Sequence, residues 1–426
     1  MGKKKYLIII PIVIIIIGCL CLIFIYMNKP DYGILKEGVG FSSYEFNMKK
    51  MEPQSIEKVS DGYIMLSNIN NNFDEVSNDI RITKYDKTFK RLWSYDYIHD
   101  ERDYIVEETE KELNKYLITY TYKMIEKDDK LFFLIGIYST STSLDNTRLL
   151  ILNKDGSIYD EHRYEESIDY MVSIDDDIIT LAGPIYVYKY NYKTKKISKY
   201  EIKNLDEKTY KVLYKNNDEY LISSHIFYYT IGEEHIAEGT NSLYLLDKNF
   251  NKKKILDMDK LLGVKGVDVD YKDIKIFGER IYVSYFVHSN EDTNGYSGIL
   301  VVDRNLNVIH NIKYTNEVIK EKIGESIDCE ISDYNIYNDK LYILVGSILD
   351  QKILLSVYDE NGKEIKSFKL KSLIPEEKIG AYSSYGYKII NYDEKELVYY
   401  TILLDDPVNS KKDIYKSILK FGRLEF

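Results

Sequence analysis

Cysteine is nearly absent from the body of this 426-residue chain, and what there is cannot form an internal disulfide. Cys19 and Cys21 sit inside an apolar N-terminal run, which leaves Cys329 alone beyond it. Stability must therefore come from packing and sheet hydrogen bonds. Proline is also scarce, with six residues and no Pro- or Ser-rich divider, which points to one continuous domain. Catalytic signatures are missing: there is no G-x-S-x-G elbow, no H-E-x-x-H and no C-x-x-C. Gly38-Val39-Gly40 lacks the third glycine and following helix of a dinucleotide site. His99, His162, His225, His235, His288 and His310 are scattered without ligand spacing. Glu233-Glu234-His235 reads as polar loop, Asp175-Asp176-Asp177 as turn chemistry, and Asn153-Lys154-Asp155-Gly156 lacks a complete calcium-loop spacing.

Composition is that of a folded body, with 44% hydrophobic and 30% charged residues. Beyond Lys3, Lys4 and Lys5, 55 basic residues face 69 acidic ones, a net charge of −14. A body of that sign repels polyphosphate, so nucleic acid and anionic lipid headgroups are poor partners for it. Cations, basic proteins and neutral glycans stay open. The 43 tyrosines suit half-buried sheet faces. An aromatic glycan-binding surface is the sharper alternative.

Residues Tyr6 to Met27 form 22 consecutive residues without charge. As a helix they would span about 33 Å, enough to cross a bilayer core. Lys3, Lys4 and Lys5 precede the run, so the positive-inside bias keeps the N-terminus cytoplasmic and sends residues 28 onward across. Ile16-Ile17-Gly18-Cys19 also resembles a lipobox, in which Cys19 would be cleaved free and lipidated. Against that route, Leu20, Leu22, Ile23, Phe24, Ile25 and Tyr26 continue the apolar run. Both routes, and full secretion, place the body outside the cytoplasm.

After residue 30 the pattern changes. Short runs such as Gly62 to Ser67, Leu131 to Tyr138, Tyr282 to Val287 and Leu341 to Val345 are bounded by Asn, Asp and Gly, the mark of strands. Only the acidic stretch Glu107 to Tyr116 reads as a helical insertion. A hairpin with an Asp or Asn turn recurs at Asp86, Asn153, Asn191, Asp247, Asp303 and Asp359, with a weaker copy in SILKFGRLEF. The last three aspartates are each 56 residues apart. A second landmark, a polar turn before an apolar strand, recurs in register: DGYIML, DKLFFL, DDIITL, NDEYLI, GERIYV, NDKLYI and EKELVY. A period of about 56 residues, built from strands alone, is that of a propeller blade or a small sandwich. The apolar strand, Asp/Asn-x-x-(Gly/Asn) turn and returning strand resemble β-propeller blades of the quinoprotein-like and related bacterial types. That resemblance implies a ring over residues 33–426 and says little about function. No WD dipeptide recurs, and Trp93 is the single tryptophan.

The expectation is therefore an all-β protein: a β-propeller of about seven four-stranded blades, after one N-terminal transmembrane helix. Residues 1–27 would be the anchor, 28–48 a linker and ring-closing strand, and 49–426 the propeller. The closing role follows from the last unit, where only Arg423 to Phe426 remain after Gly422 for a returning strand. An unpaired edge there invites aggregation unless the 33–48 segment covers it.

One constellation carries chemistry. Val267-Asp268-Val269-Asp270 and Ile327-Asp328-Cys329-Glu330 lie 60 residues apart, as do the strand landmarks Ile281 and Leu341. Period-two alternation puts Asp268, Asp270, Asp328 and Glu330 on one side of two adjacent inner strands. Four carboxylates there would hold a divalent cation such as calcium, or simply face water. The expected function is an extracytoplasmic, membrane-tethered binding or scaffold module for an envelope protein, glycan or small ligand. The alternative is a metal-dependent hydrolase or lyase at the channel mouth. No other cofactor is implied.

Overall fold

The strands and turns appear in the computed structural model, which describes residues 34–423 apart from 39–40, 47–50, 71–77, 98–116, 140–144, 165–167, 169, 184–185, 203–209, 217–218, 225, 232–233, 265, 289–294, 325–328, 347–352, 371–381, 392–396 and 406–416. The run at 6–27, Cys19 and the stretch at 107–116 lie outside these residues. Among the described residues, no helix is long and apolar enough to cross a membrane.

Local chemistry explains the hairpins. The first turn of a unit needs left-handed backbone, and short polar residues supply it. Asp128 and Asp129 have φ of 48° and 60°, and Asn338 and Asp339 have 49° and 59°. Two successive positive values give the turn whose twist matches the flanking strands. The later turn hangs on its aspartate. Asp303 accepts the backbone N–H groups of Asn305 and Asn307 on Oδ1, both at 2.8 Å. Asp247 holds Asn249 and Asn251 in the same way, again at 2.8 Å. Asp86 and Asp359 repeat the arrangement. Three residues after the aspartate, Phe89, Phe250 and Leu306 adopt φ of 61°, 64° and 56°. All three are buried, and Phe89 stacks on Tyr63 with centroids 4.4 Å apart. Burying such a side chain gains about 1.5–3 kcal/mol. That offsets the roughly 1–2 kcal/mol cost of left-handed backbone.

Strands within a unit run antiparallel, with the first at the inner edge and the fourth at the outer edge. Residues 170–201, 210–257, 269–314 and 331–370 each form one four-stranded sheet. First strands of successive units touch. Leu117–Lys127 meets Tyr170–Asp175, which meets Tyr210–Asn216, and that strand meets Val269–Phe277. Ile331–Tyr337 meets Tyr382–Asn391, which returns to Met51–Val59. The protein is an all-β propeller.

Blade number departs from the expected seven. Residues 51–97 and 117–164 share one eight-stranded sheet, because Asn78 pairs in parallel with Ile118. The described strands thus make six blades rather than seven, one of them double width. A two-stranded hairpin, Phe227–Ile231 with Glu234–Glu238, is inserted before the third strand of the 210–257 blade. It takes up Glu234 and His235, which the sequence reading left in a loop. The sequence reading also omits two short helices between blades. Met258–Leu262 is capped by Asp257 and Gly263, and Asn316–Ile323 by Thr315 and Gly324. Neither is long enough to show a helical period.

The last blade has five strands. Phe41–Phe46 pairs antiparallel with Ser417–Arg423, from Ser42↔Phe421 to Phe46↔Ser417. Ile34–Gly38 then forms its outermost strand against Phe41–Phe46. N-terminal and C-terminal strands therefore lie in one sheet.

A belt of contacts joins the units at larger radius. The third residue of each of four outer strands reaches the next unit's turn. Trp93 donates its indole N–H to Lys154 O at 2.7 Å. Asp160 meets Lys195 at 2.5 Å, and Lys254 donates to Asn307 Oδ1 at 2.6 Å. His310 lies so close to Gly362 that a Cβ there would come within 2.8 Å of its ring.

Candidate functional site

A bulge in each inner strand decides which side chains meet at the centre. In Val269–Phe277, Tyr271 pairs with Tyr285 but Asp273 already pairs with Ser284, so Lys272 is the extra residue. The shift moves Asp273 and Lys275 to the face of Asp270, where strict alternation would put them opposite. Ile331–Tyr337 repeats the shift between Ile331 and Asp333. Asp273 and Asp333 are thereby brought to matching positions on adjacent inner strands.

The Lys275 ammonium joins them. It lies 3.1 Å from Asp333 Oδ1 and 3.5 Å from Asp273 Oδ2, and it donates to Tyr334 O. Asp333 Oδ1 accepts the Tyr334 N–H at 2.8 Å, and its Oδ2 accepts the Ile389 N–H at 2.8 Å. One carboxylate thus links the inner strands of three blades. Glu57, on Met51–Val59, enters the same field together with Lys388.

These groups are surrounded by protein without being sealed off. The Asp273 side chain keeps 49% of its accessible surface. Enclosure still removes most of the solvent that would stabilise charge. Burial pushes the Glu57 carboxyl above the usual carboxylate range, with Lys388 pulling the other way. Burial likewise raises Asp273 against the pull of Lys275. For Lys275 burial opposes the charge, but Asp333 and then Asp273 outweigh it and hold the ammonium above the usual lysine value.

The sequence-predicted cluster lies at the start of the same inner strands, and the structure brings part of it together. Lys272 is 3.2 Å from Asp270 and 3.6 Å from Glu330, so one ammonium stands between the two carboxylates. His288 Nε2 is 3.7 Å from Asp270 Oδ2, and its backbone N–H donates to Asp268 O at 3.0 Å. Asp328 lies outside the described residues. Among the described residues no three His, Cys, Asp or Glu side chains are grouped to hold a metal ion.

No family model and no curated protein matches the sequence. Solved structures do match in shape. Kluyveromyces lactis Hsv2p matches with a TM-score of 0.41 and 11% identity, over 88% of this chain and 98% of its own. The β-propeller domain of the Trilobed protease from Pyrococcus furiosus matches with a TM-score of 0.46 and 10% identity, over 88% of this chain and 94% of its own. That structure is described as having an open velcro topology. The likeness is one of fold, and nothing about ligand or activity follows from it. It lends no support to the quinoprotein-like resemblance in particular.

Sequence reasoning missed Glu57, Asp273, Lys275, Asp333 and Lys388. A signal was present for two of them, since Asp273 and Asp333 are 60 residues apart, like the pair Asp270 and Glu330.

Proposed function

We propose that this chain is a non-catalytic binding or scaffold module, tethered by residues 6–27 with its propeller outside the cytoplasm. The observation that carries the non-catalytic reading is how the central charges are used. Lys275 answers Asp273 and Asp333, and Lys272 answers Asp270 and Glu330. Ion pairs of this kind tie neighbouring inner strands to one another, a structural use of charge. The membrane placement rests on the charge-free run and its lysine flank. Envelope protein, glycan and small ligand remain the partner classes. A phosphatase fused after Phe426 should be active and a cytoplasmic fluorescent reporter at the same place dark. The reverse pattern removes the tethered reading.

His288 beside Asp270 supports a second reading, a divalent cation site serving a hydrolase or lyase. Histidine with carboxylates is the donor set such chemistry uses. In that case calcium or zinc should raise the melting temperature by mass action. Asp268→Asn combined with Asp328→Asn should remove the shift. A melting curve indifferent to millimolar amounts of both ions leaves the scaffold reading alone.

A further inference from the structure

Strand pairing in the last blade fixes the end of the ring at which the chain enters it. Tyr382 pairs with Asp405, Leu404 with Ser417, Ser417 with Phe46, and Glu45 with Ile34. One row thus joins the start of an inner strand to the start of Ile34–Gly38. The inner strands of the two preceding blades start in equivalent rows, at Ile331↔Val345 and Val269↔Val287. In a ring of blades wound the same way, every inner strand starts at that end.

Three inserted elements occupy it. Met258–Leu262 and Asn316–Ile323 each lead into an inner strand. The hairpin of Phe227–Ile231 and Glu234–Glu238 is inserted beyond the pair Ser224↔Ser242. Tyr229 pairs with Ile236, so alternation puts Phe227, Tyr229, Ile231 and Ile236 on one face of the hairpin, with Glu234 and Glu238 at its two ends. The turns at Asp247, Asp303 and Asp359 lie at the opposite end of the ring.

Only residues 28–33 separate the apolar N-terminal run from Ile34. Fully extended, a linker of that length reaches about 20 Å. The strand Ile331–Tyr337 is by itself about 23 Å long. With the strand-start end toward the bilayer the linker is slack. The inverted ring would need it to cover the whole depth at full stretch.

We propose that the end at which the inner strands start lies against the bilayer, with the Tyr229 and Ile236 face of the hairpin on the headgroup layer. Aromatic residues suit that layer, and a tether makes even a weak contact effective. The group of Asp270, Lys272, Glu330 and His288 then lies on the membrane side, and the turn aspartates face outward. The inference rests on the anchor reading of residues 6–27.

Single cysteines test it in the full chain carrying Cys19→Ala and Cys21→Ala, reconstituted in phosphatidylcholine vesicles, with Cys329 buried. Lys260→Cys and Glu321→Cys mark the helix-bearing end, and Lys248→Cys and Asn305→Cys the other. All four native residues are exposed. Each variant carries a fluorophore, and the lipid carries a nitroxide on its headgroup. Labels at the first two sites should lose most of their emission, and labels at the other two should keep theirs. A label on Ile236→Cys should be quenched at least as strongly as one on Glu321→Cys. Quenching at the turn end instead, equal quenching at both ends, or none at either would overturn the orientation. Weaker quenching on the hairpin than on Glu321→Cys would overturn the hairpin contact. Two probes at each end keep the test decisive if one variant fails to fold. Flotation of the vesicles separates the two readings. A chain left behind loses both anchor and orientation, whereas a chain that floats with the wrong quenching pattern loses the orientation alone.

Discussion

Asp303 shows what one side chain contributes to a turn. Its two oxygens accept two backbone N–H groups and the Asn307 amide, the last at 2.7 Å. Burial works against its charge, but Asn307 and the backbone donors outweigh it and hold the carboxyl below the usual aspartate range. Its stabilisation is present above the ordinary aspartate pKa and is lost as pH falls through the lower folded-state value. Asp303→Ala should cost about 1–2 kcal/mol at neutral pH by thermal unfolding, and the deficit should shrink in acid. Glu57 has the opposite sign. Its folded-state pKa is raised, so its contribution is complete below the free value and is lost as pH rises through the folded one. Glu57→Gln should therefore raise the melting temperature at neutral pH and make little difference near about pH 4. A neutral-pH loss of stability in that variant would mean the ionised carboxylate is an essential partner of Lys388. The turn aspartates were legible in sequence because their work is local, completed within four residues. Glu57 was not, because its neighbours come from strands hundreds of residues away.

At the level of elements, strand positions were readable wherever a polar turn preceded an apolar run. Gly62–Asn70, Lys130–Ser139 and Lys340–Val345 each contain the stretch expected. Facing was less readable. Period-two alternation held only up to the bulge, so Asp270 and Glu330 were picked out and Asp273 and Asp333 were passed over. The merger of residues 51–97 with 117–164 depends on one parallel pair, Asn78↔Ile118, and leaves no trace in composition or spacing. Strand addition in the last blade is the element with the largest expected effect. Without Phe41–Phe46, the Ser417–Arg423 ladder loses one of its two partners. Deleting residues 31–48 should lower the melting temperature far more than trimming an ordinary linker and should promote aggregation through the exposed edge. Unchanged melting would show that the remaining ring closes without those strands.

At the scale of the whole molecule, the joints between units keep the ring in register. The belt from Trp93, Asp160, Lys254 and His310 to the next turns gives the ring a second set of joints outside the inner strands. Losing one joint therefore leaves its neighbours in register.

The pairing order of the last blade also fixes how the ring responds to tension. A pull on the N-terminal end of Ile34–Gly38 meets its ladder at Ile34↔Glu45 and peels it one pair at a time. Phe41–Phe46 then comes away from Ser417–Arg423 in the same fashion, beginning at Ser42↔Phe421. Peeling loads single hydrogen bonds in turn, whereas sliding would load a whole ladder at once. Ser417–Arg423 stays paired with Leu397–Asp405 throughout. Pulled between the N-terminal end of Ile34–Gly38 and the C-terminal end of Ser417–Arg423, the ring would part first at this seam.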